Sequence, residues 1–120
     1  MKRVVLIVDH GSRLPEANQL LEAVAARVRE RLPDRSVRTA HLDLAAPAIP
    51  EAIDACAAEG VAEIVLAPWF LSPGAHTARD LPRIAQQAAR RHPGVRIACA
   101  EPLGFDEKLV DVLLERLARA

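Results

Sequence analysis

Hydrophobic positions follow two alternating rhythms along the chain. Val4-Val5-Leu6-Ile7-Val8 and Ile64-Val65-Leu66-Ala67 are short, continuously apolar runs, and Val37–Leu42 and Val95–Cys99 are shorter β-type runs interrupted by arginines. Between them the apolar residues recur with helical spacing: Ala17, Leu20, Leu21, Val24 and Val28 form one stripe, and Leu109, Val110, Leu113, Leu114 and Leu117 another. The pattern predicts strands over 3–8, 36–42, 62–67 and 95–99, and helices over 15–32, 48–59, 78–92 and 106–119. Punctuation agrees. Pro15 suits a first helical turn, and Gly60 and Gly94 follow helices at positions suited to positive φ. Thr77 and Asp80 are spaced as a capping box with Asp replacing Glu, which starts the third helix just after His76.

A βαβαβαβα order without linker or low-complexity stretch reads as one α/β domain over residues 1–120. The first and third strands are apolar throughout, as strands covered on both faces must be, whereas the second and fourth admit Arg38 and Arg96 and belong at the edges. The expected architecture is a four-stranded parallel sheet, order 2-1-3-4, with helices on both faces, a flavodoxin-like half. In that order the chain direction reverses between strands 1 and 3, where open α/β sheets bind ligands beyond the carboxyl ends of their strands.

Composition narrows the functions this frame can carry. Apolar residues make up 51% of the chain but Trp69, Phe70 and Phe105 are its only aromatics, so the core is aliphatic and alanine-rich. Lys+Arg and Asp+Glu balance at 16 each, which argues against nucleic-acid or anionic-membrane partners. No run approaches the ~20 apolar residues of a membrane span and the short amino-terminal run lacks a cleavage site, so a cytoplasmic location is expected. Cys56 and Cys99 lack C-x-x-C spacing and read as small buried hydrophobes, with no disulfide implied.

Chemistry concentrates after the two central strands. His10 lies in Asp9-His10-Gly11-Ser12-Arg13 and His76 closes Leu71-Ser72-Pro73-Gly74-Ala75-His76, each in a glycine-containing turn following a strand. One such histidine is most simply a hydrogen-bonded structural group. Two at neighbouring strand tips point to a shared metal site, to which Asp43, just beyond strand 2, brings a carboxylate. Two imidazoles and one carboxylate with positions left open suit a divalent transition metal that is received and passed on, unlike a closed four-ligand structural site. His41 is a further candidate ligand, or else a partly exposed edge histidine; His92, before Pro93-Gly94, reads as a helix cap or dipole partner.

The segments Asp9–Asn18 and Pro68–Pro82 resemble the two signature stretches of the small class II chelatases, the short CbiX or SirB type of sirohydrochlorin cobaltochelatase and ferrochelatase. Length, spacing and strand order extend the resemblance over essentially the whole chain. It implies insertion of Co²⁺, Fe²⁺ or Ni²⁺ into a tetrapyrrole, in cobalamin or siroheme biosynthesis, without ATP and with no permanently bound cofactor. The metal is a substrate. By the same resemblance His10 and His76 bind the incoming ion and assist pyrrole deprotonation. A neutral imidazole, with an ordinary pKa of about 6.5, can do both, and His10 is the first choice for the base. The position matching Asp43 is usually glutamate in that family, so this chain departs there by one methylene.

A polycarboxylate macrocycle must be met by local groups, because the protein carries no net charge. The candidate substrate-binding set is Gly11, Ser12, Arg13, Phe70, Ser72, Gly74 and Arg79, helped by backbone N–H groups in the first turns of the helices beginning near residues 15 and 78. Arg13 and Arg79 also read as ordinary solvated charges. Trp69 and Phe70 offer a flat apolar surface to the macrocycle or a partner subunit, although core packing accounts for one of them. A single sheet offers only a shallow crevice, so a symmetric homodimer with facing carboxyl edges is expected. The competing class is a metal- or tetrapyrrole-binding carrier without turnover. A phosphate-binding flavodoxin-like domain lacks its glycine fingerprint, and a serine hydrolase lacks G-x-S-x-G.

Overall fold

The computed structural model describes residues 2–72 and 74–120, without the side chains of residues 75–78. The elements are β1 (Arg3–Asp9), α1 (Pro15–Arg31), β2 (Ser36–His41), α2 (Ile49–Ala58), β3 (Glu63–Pro68), α3 (Ala75–Arg91), β4 (Arg96–Cys99) and α4 (Glu107–Ala118). The four strands form one parallel sheet in the order β2-β1-β3-β4, as the apolar patterning requires.

Alternation along β1 builds both faces of the core. Val4, Leu6 and Val8, with Ala40, Ile64 and Leu66, lie beneath Ile49, Ile53 and Cys56 of α2 and Leu81, Ala85 and Ala88 of α3. On the opposite face Val5, Ile7 and Val37 are covered by Leu21 and Ala25 of α1, with Val24, Val28 and Trp69 packed alongside. Within the α1 stripe, Ala17 and Leu20 stay exposed, and the helix meets the core from Leu21 onward through Val24, Ala25 and Val28.

Helix boundaries depart from the sequence pattern in instructive places. Pro15 does open α1, and Gly60 at φ +81° does end α2. Gly94 has no positive φ. The third helix begins at Ala75 with Gly74 as its uncapped N-cap, so Thr77 and Asp80 form no capping box; Asp80 instead pairs with Arg83 one turn on. Cys56 is buried as expected, but Cys99 is exposed, since it ends the short edge strand β4. The largest departure is α4. Its apolar stripe predicts packing on the sheet, yet none of its residues is buried and only Leu109 and Val110 are half-buried.

Candidate functional site

At the carboxyl edge the tips of β1 and β2 are sewn together beyond the last ladder residues. The N–H of Leu42 donates to the Asp9 carbonyl at 2.8 Å, and that of Asp43 to the His10 carbonyl at 2.9 Å. The chain then turns at Gly11, whose φ is +86°. Glycine is required there twice over, because a Cβ would also stand 1.8 Å from the Asp43 carbonyl oxygen. This close approach places His10 and Asp43 side by side as exposed side chains on one rim.

His10, Gly11, Leu42, Asp43, Leu44, Asp80 and Ile84 line an open concavity of about 460 Å³ between the strand tips and α3. The His10 ring lies against Phe70, with centroids 4.8 Å apart and planes tilted by 37°, so an aromatic face supports the exposed imidazole. One Asp43 carboxylate oxygen accepts from the Leu44 N–H at 2.8 Å. Its carboxylate is therefore oriented by its own loop.

The remaining predicted residues fall into three groups. Ser12 shapes the loop: its hydroxyl accepts from the Leu14 N–H, while its backbone exchanges two hydrogen bonds with the Asn18 side chain at 3.0 and 2.7 Å. Arg13, Ser72, Gly74 and Arg79 lie exposed on loops or on α3, outside the lining of the concavity. The side chain of His76, in the first turn of α3, lies outside the described residues. Among the described residues no three His, Cys, Asp or Glu side chains converge on one point suited to an ion.

His41 is neither a partly exposed edge histidine nor a group turned to the concavity. It is buried, and its Nδ1 lies 2.6 Å from Asp9 Oδ1; a carboxylate can only accept, so the ring N–H donates. The two residues are in register across β1 and β2, and the segment after β2 folds back over the strand, with the His41 N–H donating to the Pro47 carbonyl at 2.9 Å. That segment covers what would otherwise be an open edge. Trp69 belongs to the core on the α1 face, whereas Phe70 is the aromatic at the site.

Three residues here escaped sequence reasoning. Asp80 stands four residues after His76 on the same helix, a spacing that was available in the sequence but was assigned to a helix cap. Asp9 and Asn18 build the site from below, through pairings with His41 and Ser12 that no local pattern announces.

A family model described as CbiX matches residues 4–120. The chain belongs to the CbiX family. Among its relatives, the chloroplastic sirohydrochlorin ferrochelatase of Arabidopsis thaliana is 36% identical over 113 residues, which cover 94% of this chain and 50% of that protein. The sirohydrochlorin cobaltochelatase of Methanothermobacter thermautotrophicus is 33% identical over 131 residues, covering 97% and 91%. The sirohydrochlorin chelatase SirB of Bacillus subtilis subspecies spizizenii, in complex with cobalt, superimposes with a TM-score of 0.89 at 31% identity, covering 99% of this chain and 51% of that one. This CbiX chain thus spans about half the length of the plant protein and of SirB, and nearly all of the archaeal one.

Proposed function

We propose that this chain is a tetrapyrrole metal chelatase, inserting Co²⁺, Fe²⁺ or Ni²⁺ into sirohydrochlorin without ATP, in the cytoplasm, toward cobalamin or siroheme. The observation that carries the reading is the His10–Phe70–Asp43 rim: an exposed imidazole and an oriented carboxylate share one concavity at the carboxyl edge of the sheet. The activities named for the relatives support it.

His10 takes the incoming ion together with His76 and Asp43, while Asp80, its carboxylate paired with Arg83, lines the same concavity. Insertion releases two pyrrolic protons. A neutral imidazole beside the macrocycle accepts one as the metal leaves it, and the second passes to solvent at the open concavity; the exposed His10 ring, lying against Phe70, supports its role as the acceptor. Gly11, Ser12, Arg13, Phe70, Ser72, Gly74 and Arg79 receive the macrocycle and its carboxylates. The open shape of the concavity favours a homodimer in which two carboxyl edges face one another and enclose the substrate.

Anaerobic absorption spectra of sirohydrochlorin with Co²⁺, Fe²⁺ or Ni²⁺, with and without protein, test the proposal. A chelatase accelerates conversion at protein concentrations far below substrate. A spectral change only in proportion to added protein identifies a carrier and overturns the enzymatic reading.

A further inference from the structure

Leu44 stands on the rim of the site in a conformation that leucine disfavours. Among the described residues it is the one non-glycine with a positive φ, at +66°. In that left-handed region a Cβ crowds its own backbone, and glycine or asparagine is the usual occupant. Burial gives nothing back, since the residue is 53% exposed. For the fold alone, a glycine would serve this position better.

The loop nevertheless holds the residue firmly. The Asp43 N–H donates to the His10 carbonyl at 2.9 Å, the Leu44 N–H to the Asp43 carboxylate at 2.8 Å, and the Ala45 N–H to the Asp43 carbonyl at 2.9 Å. Gly11 closes on the same Asp43 carbonyl. A disfavoured backbone persists only where its surroundings over-determine it, and such residues cluster where ligands are gripped. The bonds that orient the Asp43 carboxylate therefore also display Leu44 on the wall of the concavity, beside His10. It has company at that edge: the loop after β1 exposes Leu14, and the loop after β3 exposes Leu71. Apolar side chains thus surround a centre made polar by His10, Asp43 and Asp80.

We propose that Leu44 is a substrate-contacting residue that packs against the apolar plane of the tetrapyrrole, with Leu14 and Leu71 beside it, and seats the ring over His10 and Asp43. The ligand chemistry is complementary. A tetrapyrrole is apolar across its faces, carries its nitrogens at the centre and its carboxylates at the periphery. A second copy pressed directly onto the bare rim would desolvate the His10 imidazole and the carboxylates without pairing them, which apolar contact does not offset. The macrocycle brings nitrogens and metal to those groups instead. The inference rests on the chelatase reading above and names the residue that recognises the ring system rather than its carboxylates.

Leu44→Gly and Leu44→Asn both accept a positive φ and both remove the apolar contact, so strain and binding separate by sign. The urea midpoint is expected to stay or rise, while KM for sirohydrochlorin increases about 10-fold or more. KM for Co²⁺ stays unchanged, and Leu44→Met recovers most of the loss in sirohydrochlorin affinity. Titration of metal-free sirohydrochlorin, followed by its own absorbance, reads the same contact without turnover. Unchanged sirohydrochlorin affinity in both variants overturns the inference and leaves the chelatase reading intact. A lowered urea midpoint in both makes Leu44 a packing residue and overturns it as well. A dimer that light scattering shows to dissociate on Leu44→Asn assigns the residue to a second copy, with the same consequence. An unaltered chain that binds sirohydrochlorin more tightly than the variants yet inserts no metal overturns the chelatase reading alone.

Discussion

At the scale of single residues, the site depends on side chains whose tasks differ sharply in what they contribute to stability. His10 is exposed and touches mainly Phe70, so His10→Ala is expected to fold normally. Loss of a general base typically costs 10²–10⁴-fold in rate, and metal insertion followed spectroscopically should fall within that range. Asp43→Ala, also exposed, is expected to lose less, mainly in metal capture at low metal concentration. His41 is the reverse case. His41→Ala strands the Asp9 carboxylate beneath the rim without its hydrogen-bond donor, and urea titration should show a loss of about 1–3 kcal/mol. An unchanged midpoint would show that the buried pair does not support the strand tips.

At the scale of elements, α2 and α3 are clamped at the end remote from the site. Asp54 of α2 accepts from His92 Nε2 at 2.7 Å and from Arg91 at 3.0 Å. These bonds, His92 first and Arg91 second, hold the Asp54 carboxyl below its ordinary value. A carboxylate whose folded value is depressed stabilises fully above the unfolded value near 3.9 and loses that contribution as pH falls through the folded one. The stability difference between the unaltered chain and Asp54→Asn should therefore stand at its full size near pH 5 and shrink in stronger acid. The pair is exposed, so the plateau should be only about 0.5 kcal/mol. Chemical denaturation across pH measures it; a difference growing as the pH falls below about 5 would contradict the assigned sign.

At the scale of the whole molecule, the facing-edge homodimer proposed above would tie folding to association. The melting temperature should then rise with protein concentration, as it does whenever the native state alone binds a partner. Calorimetry over a hundredfold concentration range checks this, and a constant melting temperature would mean that assembly adds no stability.

The apolar runs Val4–Val8 and Ile64–Ala67 within β1 and β3, against the arginines of β2 and β4, were enough to order the sheet, because inner strands bury most of their side chains. The same reading located His10, Gly11 and Asp43 at one edge, since parallel strands all end on the same side. Local sequence carried no trace of the Asp9–His41 pairing, because register across β1 and β2 and the fold-back of residues 42–48 bury that histidine. Nor did the leucine stripe of α4 reveal where it packs. Periodicity states that a helix has an apolar face; only the tertiary structure decides which surface lies within reach of it, and here Leu113, Leu114 and Leu117 stay exposed while the loop before the helix is held by hydrogen bonds to Phe70 and Leu71.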